Sequence, residues 1–377
     1  MKARKVGKLD SRAMAKAAAR GRRNGGSGMT LRDVAARAGV STSTVARVVH
    51  SNGYVAEETR ERVEIAMREG GGFRLNAVAS GLKRRRTTTI GTLLQETLPN
   101  PFFAEVALGI EHAASERGYN VLVYNARGSA EHERAGVDAF LSQQVDAIIF
   151  ATPVDAGNVE HAHRAGVAVV EVEKPLYGAA GAVVVDNYVG ATAAMGHLLE
   201  LGHEHIGFIG EPSSEAQAAG WPVDRVVNER LAGYRDTLRK QGMAGDESLV
   251  VLGDYASDAG WPSLRTGYDY MTRLLEQQPA MTAVFAGSDL LAAGALQALY
   301  ERGIRVPDEA SVIGFDDTYA KHLAPPLTTV RQPMFEMGVQ AAALAMKLAG
   351  AERRRKREVW LETELLVRSS TATPRRG

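Results

Sequence analysis

The sequence predicts an α/β protein: an N-terminal three-helix helix-turn-helix headpiece with a short hinge, then a large doubly wound domain in two lobes. Three observations carry this expectation. Apolar residues recur at helical spacing in three short blocks within residues 29–75. From Thr89 onward, short apolar runs alternate with longer amphipathic segments. The chain has 377 residues, enough for two or more domains.

Residues 1–28 hold nine Lys or Arg and one acid, Asp10, and end in Gly25-Gly-Ser-Gly28. This composition predicts a basic, disordered tail. It lacks the apolar run of a signal peptide. The tail adds phosphate contacts, or it is an extension without consequence ahead of Met29.

The headpiece spans 29–75. Leu31, Val34, Ala35 and Ala38 fall on one helix face. Thr30 caps that helix, with Asp33 three residues on, and Gly39 ends it in a left-handed conformation. Ser41 caps a second helix whose inner face is Val45, Val48 and Val49. A third begins near Glu57 and turns Val63, Ala66 and Met67 inward. Two short helices joined by a tight glycine-containing turn make a helix-turn-helix. The second helix of that motif enters the DNA major groove with its N-terminal residues against base edges. Here those residues are Thr42, Ser43, Thr44 and Arg47. Arg47 can fork onto guanine O6 and N7. Thr30, Ser41, Thr44 and Tyr54 can donate to phosphates, and Leu31 opens the same helix start. The alternative is a plain three-helix bundle whose hydroxyls only cap and solvate.

Residues 76–88 are the expected hinge and linker. Asn76-Ala-Val-Ala-Ser-Gly-Leu-Lys83 is too short for a stable helix alone in water. Gly70-Gly-Gly72 just before it raises the entropy of ordering. Arg84-Arg-Arg86 touches phosphates or is a solvated linker.

Residues 89–370 form the large domain. Strand-like runs fall at Ile90–Leu94, Val121–Tyr124, Ala147–Ala151, Ala168–Val172 and Val183–Asp186. A second series falls at Ile206–Gly210, Leu249–Gly253, Ala283–Ala286 and Ser311–Phe315. Helix-period segments lie between most of them, which predicts parallel sheets with helices on both faces. Ligands of such sheets bind beyond the carboxyl ends of the strands. The candidates there are Phe102 and Phe103, Asp186, Arg230, Tyr255, Ser288 and Asp316. Asp186, Asp289 and Asp316 have an alternative role as caps of the following helices. Two loops near this region carry Gly-Trp-Pro, at Trp221 and Trp261. They either wall a ligand or pack their own loops.

Composition narrows the function classes. Net charge is +1, so the whole molecule is no general magnet for nucleic acid. There is no cysteine, which excludes disulfides and thiolate chemistry. No apolar stretch is long enough to span a membrane, and a cytoplasmic protein is expected. The pairs His161/His163 and His203/His205 lack an evident third ligand, so no metal is expected. No phosphate-binding loop or nucleophile elbow is present, and neither catalysis nor a cofactor is expected.

Residues 29–83 resemble the headpiece and hinge of the lactose-repressor (LacI/GalR) family of bacterial transcription regulators. The similarity lies in TLRDVAARAGVSTSTVARVV, VAEETRERVEIAM and NAVASGL. It continues through NPFFAEVALGIEHAASERGYNVLV, VDN, LGHEHIGFIG, RLAGYRDTL, TAVFAGSD, RVPDEASVIGFDD and PPLTTVRQP. The resemblance implies a hinge helix that orders on DNA, with Leu82 as a minor-groove wedge and Lys83 beside it. It implies a periplasmic-binding-protein-like domain with an effector between the lobes, gripped by Arg230 and Asp316 and stacked by Tyr255. It places the crossings between lobes near Asn187, near Tyr319 and after a long helix over Met334–Leu348. The first lobe is then 89–187 and 320–348, and the second 188–319 and 355–370, with a tail at 371–377. The implied function is a repressor that binds a palindromic operator as a homodimer under control of a small molecule, most simply a sugar or sugar derivative. Two other classes compete: an exported sugar receptor, which leaves the headpiece unexplained, and an enzyme, which lacks a recognisable acid–base or nucleophile pattern.

Overall fold

A computed structural model describes residues 29–49, 52–69, 86–95, 101–173, 175, 177–178, 180–210, 225–243, 246–252, 264–351 and 356–375. The expected basic tail, the hinge residues 76–83 and both Gly-Trp-Pro segments lie outside the described residues. The chain divides into two compact units, Met1–Thr87 and Thr88–Gly377.

The first unit holds three helices: α1 (Leu31–Ala38), α2 (Thr42–Val49) and α3 (Glu57–Glu69). The capping box at α1 is complete. The Thr30 hydroxyl oxygen accepts from the Asp33 N–H, and Asp33 accepts from the Thr30 N–H at 2.9 Å. Gly39 ends the helix at φ +65°. Val34, Val45 and Val63, one from each helix, are fully buried and form the centre of a small core. Val49 and Met67, expected inside, pack on its edge as partly buried residues.

The second unit is built on two six-stranded sheets. The first contains β1 (Thr89–Leu94), β2 (Asn120–Asn125), β3 (Ala147–Ala151), β4 (Ala168–Val172), β5 (Gly181–Val185) and β11 (Arg357–Leu361). Its order is β11-β5-β4-β3-β1-β2, all parallel. The second contains β6 (Ile206–Gly210), β7 (Val250–Leu252), β8 (Ala283–Ala286), β9 (Ser311–Asp316), β10 (Thr328–Arg331) and β12 (Glu364–Leu366). Its order is β12-β10-β9-β8-β6-β7, with β12 antiparallel. Every residue of β3, β4, β5 and β6 is buried, as parallel strands covered on both faces require.

Helices cover both faces of each sheet. On the first, α4 (Pro101–Ser115) and α11 (Met334–Ala349) face α5 (Ala130–Ser142) and α6 (Ala156–Arg164) across the sheet. On the second, α9 (Leu264–Gln277) and α10 (Asp289–Glu301) lie opposite α7 (Asn187–Glu200) and α8 (Arg225–Lys240). α4 and α11 touch backbone to backbone through glycines. A Cβ on Gly109 would stand 2.0 Å from the Phe335 carbonyl oxygen.

Strand pairing corrects the expected lobe boundaries. Residues 328–331, assigned by resemblance to the first lobe, pair with β9 in the second sheet. The crossing therefore follows Arg331, not Tyr319. The C-terminal run expected wholly in the second lobe is split: residues 357–361 extend the first sheet beside β5, and only 364–366 join the second. The chain thus crosses at residue 186, at 332–333 and at 362–363. The tail expected from residue 371 also begins later. Ser370 accepts from the Thr328 N–H at 2.8 Å, His203 Nε2 lies 2.8 Å from the Ala372 carbonyl, and Thr371 bonds His197 at 2.9 Å.

Candidate functional site

The first candidate surface is the outer face of α2. Ser41 caps it, accepting from the Thr44 N–H at 3.1 Å, and its hydroxyl also meets those of Ser43 at 2.7 Å and Thr44 at 2.8 Å. Val45 and Val48 face the core, which turns Thr42, Ser43 and Arg47 outward, all exposed. Tyr54 is 91% exposed after α2. Leu31 is partly buried against the core. Thr30 is exposed, but its hydroxyl donates to Asp33 at 2.7 Å. That bond holds the Asp33 carboxyl below its usual range.

The second candidate gathers at the carboxyl ends of both sheets. Arg230, on α8, is 5% exposed and bound on every side. Its Nε donates to Asn187 at 2.9 Å and its Nη1 to the Gly287 carbonyl at 2.5 Å. Its Nη2 lies 3.5 Å from Asp316 and 3.9 Å from Glu173. The guanidinium stacks 3.7 Å from the Phe315 ring centroid. Glu173 follows β4 of the first sheet, so this ion pair spans the lobes; the other partners belong to the second lobe.

Asp316 ends β9 and is 6% exposed. It also accepts from Gln332 Nε2 at 2.7 Å. Burial pushes its carboxyl up to about 7; Arg230 opposes the shift, while Asp289 and Glu173 add to it. Gln332 Oε1 is buried without a hydrogen-bond partner. Three acidic residues here hold positive φ: Glu173 at 66°, Asp316 at 114° and Asp317 at 65°. Each such residue stores about 1–3 kcal/mol of strain, and such strain concentrates at ligand clamps.

The strand-end candidates separate into groups. Arg230 and Asp316 come together. Asp186 instead caps α7, accepting from the Val189 N–H at 2.9 Å. Ser288 caps α10, accepting from Leu291 N–H at 3.3 Å. Both act as helix caps here, because a short polar side chain at a strand end satisfies the free N–H groups of the next helix. Asp289 was read as that cap; Ser288 takes the role, and Asp289 turns into the sheet to accept from Thr329 at 2.6 Å and the Thr318 N–H at 2.7 Å. Phe102 and Phe103 lie apart from the Arg230–Asp316 group. They lie 3% and 2% exposed in the first lobe's core, edge to face at 5.3 Å, because α4 packs that side against the sheet and α11. Tyr255, Asn76, Leu82 and Lys83 lie outside the described residues.

Glu173, Asn187 and Gln332 were not foreseen as site residues. Asn187 and Gln332 stand inside the VDN and TTVRQP segments, and an amide directly after a strand end was the available signal. Glu173 had none. Of the histidine pairs, His161 bonds Asp138 at 2.9 Å, and His203 bonds Thr282 at 2.9 Å and Ser311 at 3.0 Å. Among the described residues, no group of three or more His, Cys, Asp or Glu is arranged to hold a metal, and no helix is long and apolar enough to cross a membrane.

Two families match the chain: "Bacterial regulatory proteins, lacI family" over residues 30–71 and "Periplasmic binding protein-like domain" over 195–371. The HTH-type transcriptional regulator DegA of Bacillus subtilis (strain 168) is 35% identical over 351 residues, covering 91% of this chain and 98% of the relative. The HTH-type transcriptional regulator CelR of Thermobifida fusca is 36% identical over 356 residues, covering 90% and 98%. Among solved structures, the CelR–cellobiose complex has a TM-score of 0.67 at 34% identity, covering 90% of this chain and 99% of that one. The lac repressor dimer bound to operator and the anti-inducer ONPF has a TM-score of 0.77 at 26% identity, covering 92% and 100%.

Proposed function

Because this chain belongs to the lacI family of bacterial transcriptional regulators, we propose that it is a repressor whose grip on a palindromic operator is set by a neutral sugar bound between its lobes. The observation that carries the sugar reading is the interlobe cluster. Asp316 and Glu173 can accept from ligand hydroxyls, Arg230 can donate to them, and Gln332 Oε1 is an acceptor awaiting a donor. Two carboxylates around one guanidinium favour a neutral polyol over an anion. The CelR relative supports this, since its solved structure is a complex with cellobiose, a neutral sugar.

On DNA, Arg47 reads a guanine in each half-site from the exposed face of α2, with Thr42 and Ser43 beside it. Ser41, Thr44 and Tyr54 contact phosphates. Thr30 and Leu31 serve through the helix start they build, since the Thr30 hydroxyl is taken by Asp33. Asn76, Leu82 and Lys83 act as the hinge, and Tyr255 stacks on the sugar. The protein works as a homodimer in the cytoplasm, with half-sites about one helical turn apart. Its work is binding, without catalysis or a resident cofactor.

The test joins two assays. Operator is selected from random duplexes, and its affinity is read by anisotropy with and without a panel of neutral sugars, sugar acids and polyols. The same panel is screened by melting temperature, since a ligand of the folded state stabilises it by mass action. The reading expects a neutral sugar to raise the melting temperature and change operator affinity, and Asp316→Ala to abolish both. Stabilisation by sugar acids alone would refute the charge argument. An Arg47→Ala protein with unrelaxed base preference would refute the recognition register.

A further inference from the structure

Asp317 is not used by the reading above, yet it stands at the centre of an ion-pair network beside the cluster. Asp316 and Asp317 follow each other at positive φ, 114° and 65°, and their carboxylates meet different partners. Asp316 turns toward Arg230 and Gln332. Asp317 turns the other way and accepts from Arg331 Nε at 3.0 Å and from Arg368 Nη2 at 2.6 Å. Arg331 continues to Glu364 at 3.2 Å, and Arg368 Nη1 donates to the Leu327 carbonyl at 2.8 Å. Asp317 and Arg368 are mostly buried, with 11% and 18% of their side chains exposed.

In this network Arg331 is the last residue before the crossing at 332–333 and Glu364 the second-lobe residue just after the crossing at 362–363, while Arg368 lies beyond β12; the neighbouring Arg230–Asp316 cluster reaches the remaining connection. Asn187 begins the element after the crossing at residue 186 and accepts from Arg230. Arg331 and Gln332 stand at the crossing at 332–333 and bond Asp317 and Asp316 respectively. Glu364 follows the crossing at 362–363 and is joined to Asp317 through Arg331. A residue in a sparsely populated backbone conformation persists only where its surroundings over-determine it. Here one of the two over-determining contacts, Arg331, is made with a residue that adjoins a connection between the lobes, where hinge motions take up their backbone change.

We propose that Asp317 is a positioning residue. Its two arginine pairs fix the turn that aims Asp316 between the lobes, and tie that turn to the interlobe connections. A change at Arg230 and Asp316 is thereby felt at the interlobe connections. The proposal rests on the sugar reading only in treating Asp316 as a ligand contact. Its test needs no ligand, so it stands or falls apart from the sugar screen.

The chain has no cysteine, so a label pair is unambiguous. Ala135→Cys on α5 and Ala280→Cys before β8, both exposed and one in each lobe, take spin labels in the full chain. An excess of unlabelled chain removes distances between copies. Pulsed dipolar spectroscopy then reads the interlobe distance distribution without ligand. Asp317→Asn is expected to shift or broaden it, and Asp317→Glu to restore it in part. Arg331→Gln, which removes the pairs with Asp317 and Glu364 at a half-exposed position, is expected to act in the same direction and serves if Asp317→Asn fails to fold. Arg235→Gln, which breaks a surface pair with Glu247 within the second lobe, is expected to leave the distribution unchanged. An unchanged distribution in Asp317→Asn, or in Arg331→Gln where that variant stands in, overturns the proposal. This holds even if the melting temperature falls, because that result describes a merely structural residue.

Discussion

Replacing Arg230 by Met keeps the aliphatic stem beneath Phe315 but removes the charge shared by Asp316 and Glu173. Arg230 and Asp316 are 5% and 6% exposed, so little water can replace the lost partner. Removing one member of a buried pair costs about 3–5 kcal/mol. At about 2 °C per kcal/mol for a large domain, the melting temperature should fall by roughly 6–10 °C. The pH dependence is the sharper part. Burial raises the Asp316 carboxyl from 3.8 to about 7 in the folded chain. The folded state therefore holds this proton more tightly than the unfolded state. That contribution to stability is fully present below the unfolded value and is lost as pH rises through about 7. Without Arg230 the carboxyl rises further, so its ionisation costs more at high pH. The bonds to Asn187 and the Gly287 carbonyl are lost at any pH, so the variant's deficit should be smaller at pH 5.5, where Asp316 is protonated in both proteins, than at pH 8.5. Urea denaturation of both proteins at the two pH values measures it. Equal deficits would refute the assignment of the buried charge pair.

Gly109→Ala places a methyl against the Phe335 carbonyl and should destabilise the large domain by at least about 1–3 kcal/mol in urea denaturation; unaltered stability would mean that α4 and α11 are farther apart than described. Thr30→Ala removes the α1 cap, worth about 1 kcal/mol, and amide exchange should rise in residues 29–69 while the large domain stays protected. Because Thr30 holds the Asp33 carboxyl low, headpiece order should be constant at neutral pH and fall once acid protonates Asp33. Truncation after Ser369 removes the bonds from Ser370, Thr371 and Ala372 to β9, β10, His197 and His203, each worth about 1 kcal/mol. It should destabilise the second lobe by several such steps. Truncation after Ala372 should cost little, since Arg375 makes only surface pairs with Asp308 and Glu309.

The headpiece was legible because its determinants are local. Thr30, Asp33 and Gly39 act within one turn of the helix they delimit, and the valine spacing sets its inner face. The same locality explains Asp186 and Ser288, which serve the helix that follows. Strand–helix alternation was legible because the apolar runs are continuous in β3 and β5 and interrupted only by Glu171 in β4 and by glycine in β6. Residues 328–331 were not, since Thr-Thr-Val-Arg is short and mixed in polarity, and its place depends on pairing with β9. Phe102 and Phe103 follow a strand end, but which side of α4 faces the sheet is decided by α11, more than two hundred residues later.

Sequence alone determined the order of elements, the two-part organisation and the family resemblance, and it singled out Arg230 and Asp316 as candidates for a ligand pair. Only the tertiary structure decided where the chain crosses between lobes and what surrounds that pair. Arg230 binds side chains or backbone 43, 57 and 86 residues away, and Glu173 reaches it from the other sheet. Caps and periodicity are written in neighbouring residues, whereas burial, shared charge and strand partners arise only when distant segments are brought within a few ångströms.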